Sequence, residues 1–275
     1  MTEDRSRDAV GASLGRMRAM MLRHVYLMTS SWPRVLELVY WPTVQITLWG
    51  FIALYLARQD GGFAGLAAVL LSAVLLWDTF FRSQLGVSLS FMEEMWARNL
   101  GHLFVSPLRP FELVLSLFAM SLLRTLIGVG GAALLAIPIH GFNLVAELGP
   151  PLALFFVNNL LFGWSLGLVV SALVLRLGLG AESLAWALVF LIQQVSAVYY
   201  PIAVLPEPLQ WVAAVLPPAQ VFEGMRRLLA EGLFDVGLLV RALALNLVWM
   251  TISGIVFLLL LRSARRLGLL LQVGE

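Results

Sequence analysis

The sequence contains no cysteine, which excludes disulfides, thiolate metal sites and cysteine nucleophiles. Charge is also scarce, because only 12% of the residues are charged and 60% are hydrophobic, whereas soluble domains carry about 25% charged residues. Several windows reach the roughly 20 apolar residues that a membrane-spanning helix needs. The composition therefore predicts an all-α membrane protein that forms a single transmembrane domain over residues 1–275. The formal net charge of +2 gives no reason to expect a nucleic-acid partner.

Lysine is missing as well, since all 18 basic residues are arginine. A Walker A loop needs a lysine to reach the β and γ phosphates of ATP, so this chain cannot contain one. If ATP drives the protein, a separate subunit must bind it. The three histidines, His24, His102 and His140, are far apart in sequence and suggest no metal cluster. We see no set of residues for catalysis by the chain itself.

The apolar runs predict six membrane-spanning helices, preceded by an amphipathic helix at the membrane surface over residues 12–30. Before the last span, residues 201–235 contain five of the 12 prolines. That segment is too broken to cross as one regular helix, so we predict short re-entrant or interfacial helices there. The predicted spans cover residues 35–57, 63–90, 110–139, 151–175, 183–200 and 236–261.

Arginine placement predicts the orientation. Arginines are concentrated before the first span, between the second and third spans, and after the last span. Because positively charged loops stay in the cytoplasm, both termini and the connection between spans two and three are predicted to be cytoplasmic. Residues 201–235 are then predicted to face outside.

The stretch FMEEMWARNLGHLFVS, residues 91–106, stands between the second and third spans. Its apolar residues recur at three- and four-residue steps, while Glu94, Arg98 and His102 follow one another at four-residue steps. This spacing predicts an amphipathic helix with a Glu94 to Arg98 pair in the favourable order. Such a helix either docks a partner protein or only caps the bundle, and the residues alone leave both interpretations open.

The stretch also resembles the segment after the second span in type-2 permeases of ATP-binding-cassette exporters, and the order of elements resembles that family over nearly the whole chain. The resemblance implies a cytoplasmic coupling helix that sits in a groove of a nucleotide-binding ATPase subunit, which carries ATP and Mg²⁺. It also implies a homodimer in a bacterial inner membrane. We expect the coupling residues to be Glu93, Glu94, Arg98, Asn99 and His102. The residues that carry the resemblance are Phe91, Glu93, Glu94, Arg98, Asn99, Leu100, Leu103, Ser106, Pro107, Leu108 and Glu112.

Two charged residues fall deep inside predicted spans, where charge is costly. Asp78 precedes the end of span two by about as many residues as Arg124 follows the start of span three, so both should lie at one depth. We predict an Asp78 to Arg124 ion pair that joins the two spans, with Arg82 able to join it. A charged element of the substrate path is the alternative. Glu37 and Glu112 are expected at the cytoplasmic ends of their spans, solvated at the interface.

In the family that the chain resembles, the substrate path runs between two permease copies and is lined largely by spans one, two and five. That resemblance makes Trp49, Tyr55, Tyr199 and Tyr200 candidates for its lining. Together with the apolar composition, it leads us to expect outward transport of an amphipathic or lipid-linked substrate. The rival hypothesis is an ATP-independent secondary transporter or a structural scaffold, for which Asp78 is the best supporting residue.

Overall fold

The computed structural model of the chain describes residues 2–59 and 64–267, and these are helical with short connections and no strand. Five of the helices are long and apolar enough to cross a membrane. The predicted all-α membrane class is therefore confirmed, whereas the sixth span is not. The helices are α1 (Thr2–Thr29), α2 (Trp32–Gln59), α3 (Ala64–Trp96), α4 (Leu100–Val105), α5 (Pro110–His140), α6 (Leu144–Leu148), α7 (Pro151–Leu177), α8 (Glu182–Val195), α9 (Glu207–Ala214), α10 (Pro217–Glu231) and α11 (Val236–Arg266).

Prolines mark where several of these helices begin. α5 starts at Pro110 and α7 at Pro151, as the sequence predicts. Proline is tolerated there because the N–H groups of the first turn have no hydrogen-bond partner within the helix. Pro33 lies likewise in the first turn of α2. The surface helix predicted over residues 12–30 is part of a longer helix, α1. The predicted start of span two, Phe63, lies outside the described residues.

The centre of the bundle is the contact between α3 and α7, which α5 and α11 flank. Two glycines allow the backbones to approach closely. A Cβ atom on Gly163 would lie 2.7 Å from the carbonyl oxygen of Phe80, and one on Gly167 would lie 2.7 Å from Cβ of Val87. No larger residue fits at either place without moving a helix. Small residues at helix interfaces are the common means by which membrane helices pack.

A third close approach joins α2 to this centre. Pro42 lies inside α2 and has no N–H, so the carbonyl of Leu38 one turn earlier is left without its helical partner. A Cβ atom on Gly128 of α5 would lie 2.8 Å from that carbonyl oxygen and 2.8 Å from Cδ of Arg82 on α3. The glycine thus gives room for α2, α3 and α5 to meet.

The helix α3 is longer than the predicted second span, which was expected to end near Ser90. Its 33 residues rise about 50 Å, well beyond the roughly 30 Å of a hydrocarbon core. The extra turns carry Glu93 and Glu94 away from the apolar part of the helix. Glu93 and Glu94 lie in the last turn of α3, before the connection to α5.

The predicted fifth span, residues 183–200, is wrong as a continuous helix. α8 has 14 residues, which rise about 21 Å and are too short to cross a bilayer alone. The helix ends because Ala197 adopts a left-handed conformation with φ 51°. Arg226 of α10 donates from Nη1 to the carbonyl oxygens of Ala197 at 2.9 Å and Val198 at 3.3 Å, which satisfies backbone that the helix leaves unpaired.

The two ends of the bundle differ in their connections. At one end lie α1, α4, the end of α3 and the starts of α2 and α5, and we call it the charged end. At the opposite end, α6 joins α5 to α7, and α10 packs against α6, α3 and α7. The proline-rich segment 201–235 contains the short helices α9 and α10, and α10 packs at the end away from residues 91–109. Their re-entrant or interfacial position stays a prediction.

Candidate functional site

The end of α3 is a turn that reverses the chain between the second and third long helices. Arg98 adopts a left-handed conformation with φ 55°. The N–H of Asn99 donates to the carbonyl of Glu94 at 2.9 Å, and the N–H of Arg98 donates to that of Met95 at 2.9 Å. These two bonds form the Schellman motif that commonly ends helices, although its left-handed position is usually glycine.

The helix predicted over residues 91–106 is therefore two helices, α3 and the six-residue α4, that meet at this turn. The predicted pair between Glu94 and Arg98 is wrong, because the left-handed residue swings Arg98 out to the surface. The apolar spacing continues across the break since Phe91 before it and Leu100 after it enter the same buried cluster. In the sequence, apolar spacing that continues across a turn looks the same as the spacing of one continuous helix.

Glu94 points inward and is 1% exposed. It accepts hydrogen bonds from Arg23 Nε at 2.9 Å and from Asn99 Nδ2 at 2.6 Å. The first bond ties α1 to the end of α3, and the second fixes the turn that leads into α4. Removal of the carboxylate would leave both donors without their acceptor.

Glu93, one residue earlier, has different partners because adjacent residues of a helix point about 100° apart. Its carboxylate accepts from Nη2 of Arg124 on α5 at 3.1 Å. The buried ring of His24 on α1 lies between the two glutamates, with Nδ1 3.5 Å from Glu93 and Nε2 3.8 Å from Glu94. Three helices meet at this pair of carboxylates.

Glu112, at the start of α5, completes the connection to α1. It is buried rather than solvated at the interface as predicted. Arg16 donates to it from Nε at 2.9 Å, Ser13 from its hydroxyl at 2.7 Å, and the N–H of Arg109 at 2.9 Å. The hydrogen bond to Glu112 raises the pKa of Arg16. The last of the three donors caps the first turn of α5.

These contacts form what we call the clamp, which holds α1 against the ends of α3 and α5. The sequence predicts an amphipathic helix over residues 12–30 but gives no partners for its charged residues. The one signal for them in the sequence is that neighbouring carboxylates in an apolar chain need cationic partners if they are buried. The clamp consists of Arg16, Arg23 and His24 of α1, Glu93 and Glu94 of α3, and Glu112 and Arg124 of α5.

Beyond the clamp, the connection over residues 96–109 is largely exposed. Arg98 and His102 are exposed, Trp96 is 47% exposed and Val105 is 90% exposed. The expected coupling residues therefore fall into two groups. Glu94 and Asn99 hold the turn through their hydrogen bond, and Glu93 binds α1 and α5 beside it. Arg98 and His102 instead face outward on a short projection that combines apolar and cationic side chains.

The predicted ion pair between Asp78 and Arg124 is wrong. Asp78 pairs with Arg82 one turn along α3, with Oδ2 2.6 Å from Nε, and Arg124 pairs with Glu93. Side chains tilt toward the N-terminus of their own helix. Because α3 and α5 run in opposite directions, Asp78 and Arg124 lean apart, whereas Glu93 and Arg124 lean toward each other.

The four aromatic candidates for a substrate path do not lie together. Trp49 of α2 stacks on Tyr199, with ring centroids 4.3 Å apart, so the structure brings these two together. Tyr200 donates its hydroxyl to the carbonyl of Gln194. Tyr55 is 61% exposed on α2. A large groove of about 980 Å³ runs along α2 between Thr29 and Phe51, and none of the four candidates lines it.

Comparison with protein families decides the identity of this bundle. The sequence pattern of the family described as ABC-2 family transporter protein matches residues 44–262. The chain belongs to the ABC-2 transporter family. Comparison with curated proteins gives no match.

Membership makes this chain an ABC transporter permease, a multi-pass membrane subunit that is not itself the catalyst. The family also implies association with an ATP-binding subunit. The matched range includes the turn at Arg98, α4 and the carboxylates of the clamp. It begins after α1, so Arg16, Arg23 and His24 of the clamp lie outside the matched part of this ABC-2 permease, whereas Arg124 lies within it.

Proposed function

We propose that this permease is the membrane subunit of an exporter driven by a separate ATP-binding subunit, which docks on residues 96–109. ATP and Mg²⁺ then act on that partner, and this chain binds neither. The observation that carries the proposal is the exposed projection at the charged end, supported from inside by buried carboxylates. A short projection with an apolar and cationic surface is well suited to a protein groove.

The clamp explains how docking moves the bundle. Arg98 and His102 contact the ATP-binding subunit, while Glu93, Glu94 and Asn99 position the turn that presents them. Because the same carboxylates bind α1 and α5, a displacement of α4 carries the ends of three helices together. Closing of two ATP-binding subunits around ATP is in this way converted into a shift of the spans.

The proposed orientation places the charged end in the cytoplasm. Arg18, Arg98, Arg109, Arg176 and Arg262 are exposed residues at that end, and cytoplasmic segments of membrane proteins are rich in arginine and lysine. α1 then lies at the cytoplasmic membrane surface. Residues 201–235 face the outside as re-entrant or interfacial helices, and the membrane is the bacterial inner membrane.

A second copy of the chain faces α2 in the proposed homodimer. Only 17% of the most apolar stretch of α2 is buried within one chain, compared with 78% of that of α3, and the groove between Thr29 and Phe51 follows the same helix. An amphipathic or lipid-linked substrate passes outward between the two copies. The stacked pair of Trp49 and Tyr199, with Tyr55 and Tyr200, lines the outer part of that path.

The test is to coexpress the chain with the ATP-binding subunit encoded beside it and to measure co-purification and ATP hydrolysis. Val105→Glu adds a carboxylate to an exposed apolar position on α4, and we expect it to weaken the complex at least about tenfold, as for a central contact residue. Val145→Glu is the matched control, because Val145 is 65% exposed on the short helix α6 at the opposite end.

Loss of the complex in the first variant with retention in the second supports docking at residues 96–109. Equal binding by both variants would contradict it. A wild-type chain that binds no ATP-binding subunit in detergent or in nanodiscs would contradict the ATP-driven function itself.

A further inference from the structure

An apolar groove of about 410 Å³ separates α1 from the first turns of α5. Methionine and aliphatic side chains of α1 line one wall together with Arg18, and aliphatic side chains and Ser116 of α5 line the other. The α1 residues that line it extend from Leu14 to Val25, a rise of about 16 Å. Members of the lining include Met17, Met21, Val25, Leu115 and Ala119.

The charge around the groove is positive and unbalanced. Residues 11–29 of α1 include three arginines and no acidic residue. Arg16 and Arg23 are bound to Glu112 and Glu94 in the clamp. Arg18 points away from them, is exposed, and has no carboxylate partner among the side chains that the structure describes. A cation without a partner beside an apolar groove is complementary to a ligand that combines an anion with a hydrocarbon chain.

We propose that this groove binds an anionic phospholipid, with one acyl chain between α1 and α5 and the headgroup phosphate on Arg18. A guanidinium offers parallel N–H donors that match phosphate oxygens. Methionine side chains adapt their shape to a flexible chain. The inference rests on the interfacial, cytoplasmic position proposed for α1, where basic pockets between membrane helices collect anionic headgroups.

The lipid would act on the same helices as the clamp. The groove lies between α1 and α5, and Ser116 on its wall is one turn beyond Glu112, to whose carbonyl it donates at 2.7 Å. An acyl chain in the groove fills the space between these helices and so opposes their separation. Anionic lipid should therefore raise the thermal stability of the purified chain.

Native mass spectrometry of the chain purified without its ATP-binding subunit measures this directly. Detergent micelles that contain equal amounts of phosphatidylglycerol and phosphatidylcholine are used as the source of lipid. We expect one phosphatidylglycerol to remain bound preferentially, and Arg18→Gln to reduce that preference roughly fivefold, as for one basic residue at an anionic surface. Arg176→Gln removes an exposed arginine at the same end of the bundle and should leave the preference unchanged.

A second variant tests the apolar part of the groove. Ala119→Phe adds a ring to its wall without altering charge, and should lower retention of phosphatidylglycerol while helix content and the melting temperature of the lipid-free chain are preserved. If that variant does not fold, Arg18→Gln against Arg176→Gln decides the matter.

Equal retention of both lipids by the wild-type chain, or an unchanged preference in Arg18→Gln, would overturn the proposal. Because the ATP-binding subunit is absent from these measurements, either outcome leaves the test of docking at Val105 unaffected.

Discussion

At the charged end, α3 is joined to α1 and α5 by ion pairs, whereas in the middle of the bundle it touches α7 through close backbone contacts at Gly163 and Gly167. The glycine contacts bring apolar surface and backbone together and depend on shape alone. The ion pairs depend on every partner being present, because a buried charge without its partner is costly. The geometry of the middle of the bundle is therefore set by close packing, whereas that of the charged end depends on a few charged side chains.

The largest expected effect is loss of one buried charge at the charged end. The pair of Arg124 and Glu93 is nearly buried, with side chains 7% and 11% exposed. Arg124→Met should destabilise the chain by about 3 kcal/mol, since the carboxylate is left without its main partner. Thermal unfolding in detergent measures the effect.

Combining that change with Glu93→Met should recover most of the stability, because both charges are then gone. Arg176→Met, at an exposed position, serves as the control and should change stability by less than about 0.5 kcal/mol. A double variant no more stable than Arg124→Met would contradict the assigned pairing.

The next effect concerns the middle of the bundle. Gly163→Ala places a Cβ atom against the carbonyl of Phe80 and the side chain of Ser83, and should destabilise by about 1–3 kcal/mol through overpacking. Gly130→Ala is the matched control inside α5, since no atom lies within 4 Å of the added Cβ. It should be neutral or stabilising by up to about 1 kcal/mol, because alanine favours a helix more than glycine does. Thermal unfolding in detergent compares the two variants. If both changed the melting temperature equally, the close contact between α3 and α7 at Gly163 would be contradicted.

A smaller effect, of opposite sign, is expected at the turn. Arg98 has φ 55°, a conformation that costs a residue with a side chain roughly 1 kcal/mol and glycine nothing. Arg98→Gly should therefore raise the melting temperature slightly and reduce ATP hydrolysis by the assembled complex, because it removes a docking side chain while it keeps the backbone. If Arg98→Gly raised the melting temperature but left ATP hydrolysis unchanged, Arg98 would not be a docking residue.

Sequence patterns predicted the long helices where apolar length and proline agree, as at Pro110 and Pro151. They did not predict the end of α8, because residues beyond it remain apolar and the break lies at the left-handed Ala197, whose carbonyl is bound by Arg226 from a distant helix. The pairing of Asp78 also escaped prediction. Depth along a helix follows from counting residues, but the direction of a side chain follows from the direction of its helix.

The candidate site, too, was predicted only in part from the sequence. Resemblance of residues 91–112 to a permease family correctly indicated the family, whereas the clamp required the position of α1, which spacing along one helix cannot give. The carboxylates Glu93 and Glu94 were recognised, but their partners Arg23, His24 and Arg124 were not. Long-range charge pairs leave no local pattern.

The most direct test of docking uses the absence of cysteine from the chain, which makes any introduced cysteine unique. Val105→Cys on α4 and Val145→Cys on α6 are each labelled with a short photoactivated crosslinker in the presence of the ATP-binding subunit. We predict a crosslinked product of the two chains from position 105 and none from position 145. Crosslinking from position 145 alone, or from neither position in a complex that hydrolyses ATP, would contradict the assignment of residues 96–109 as the docking element.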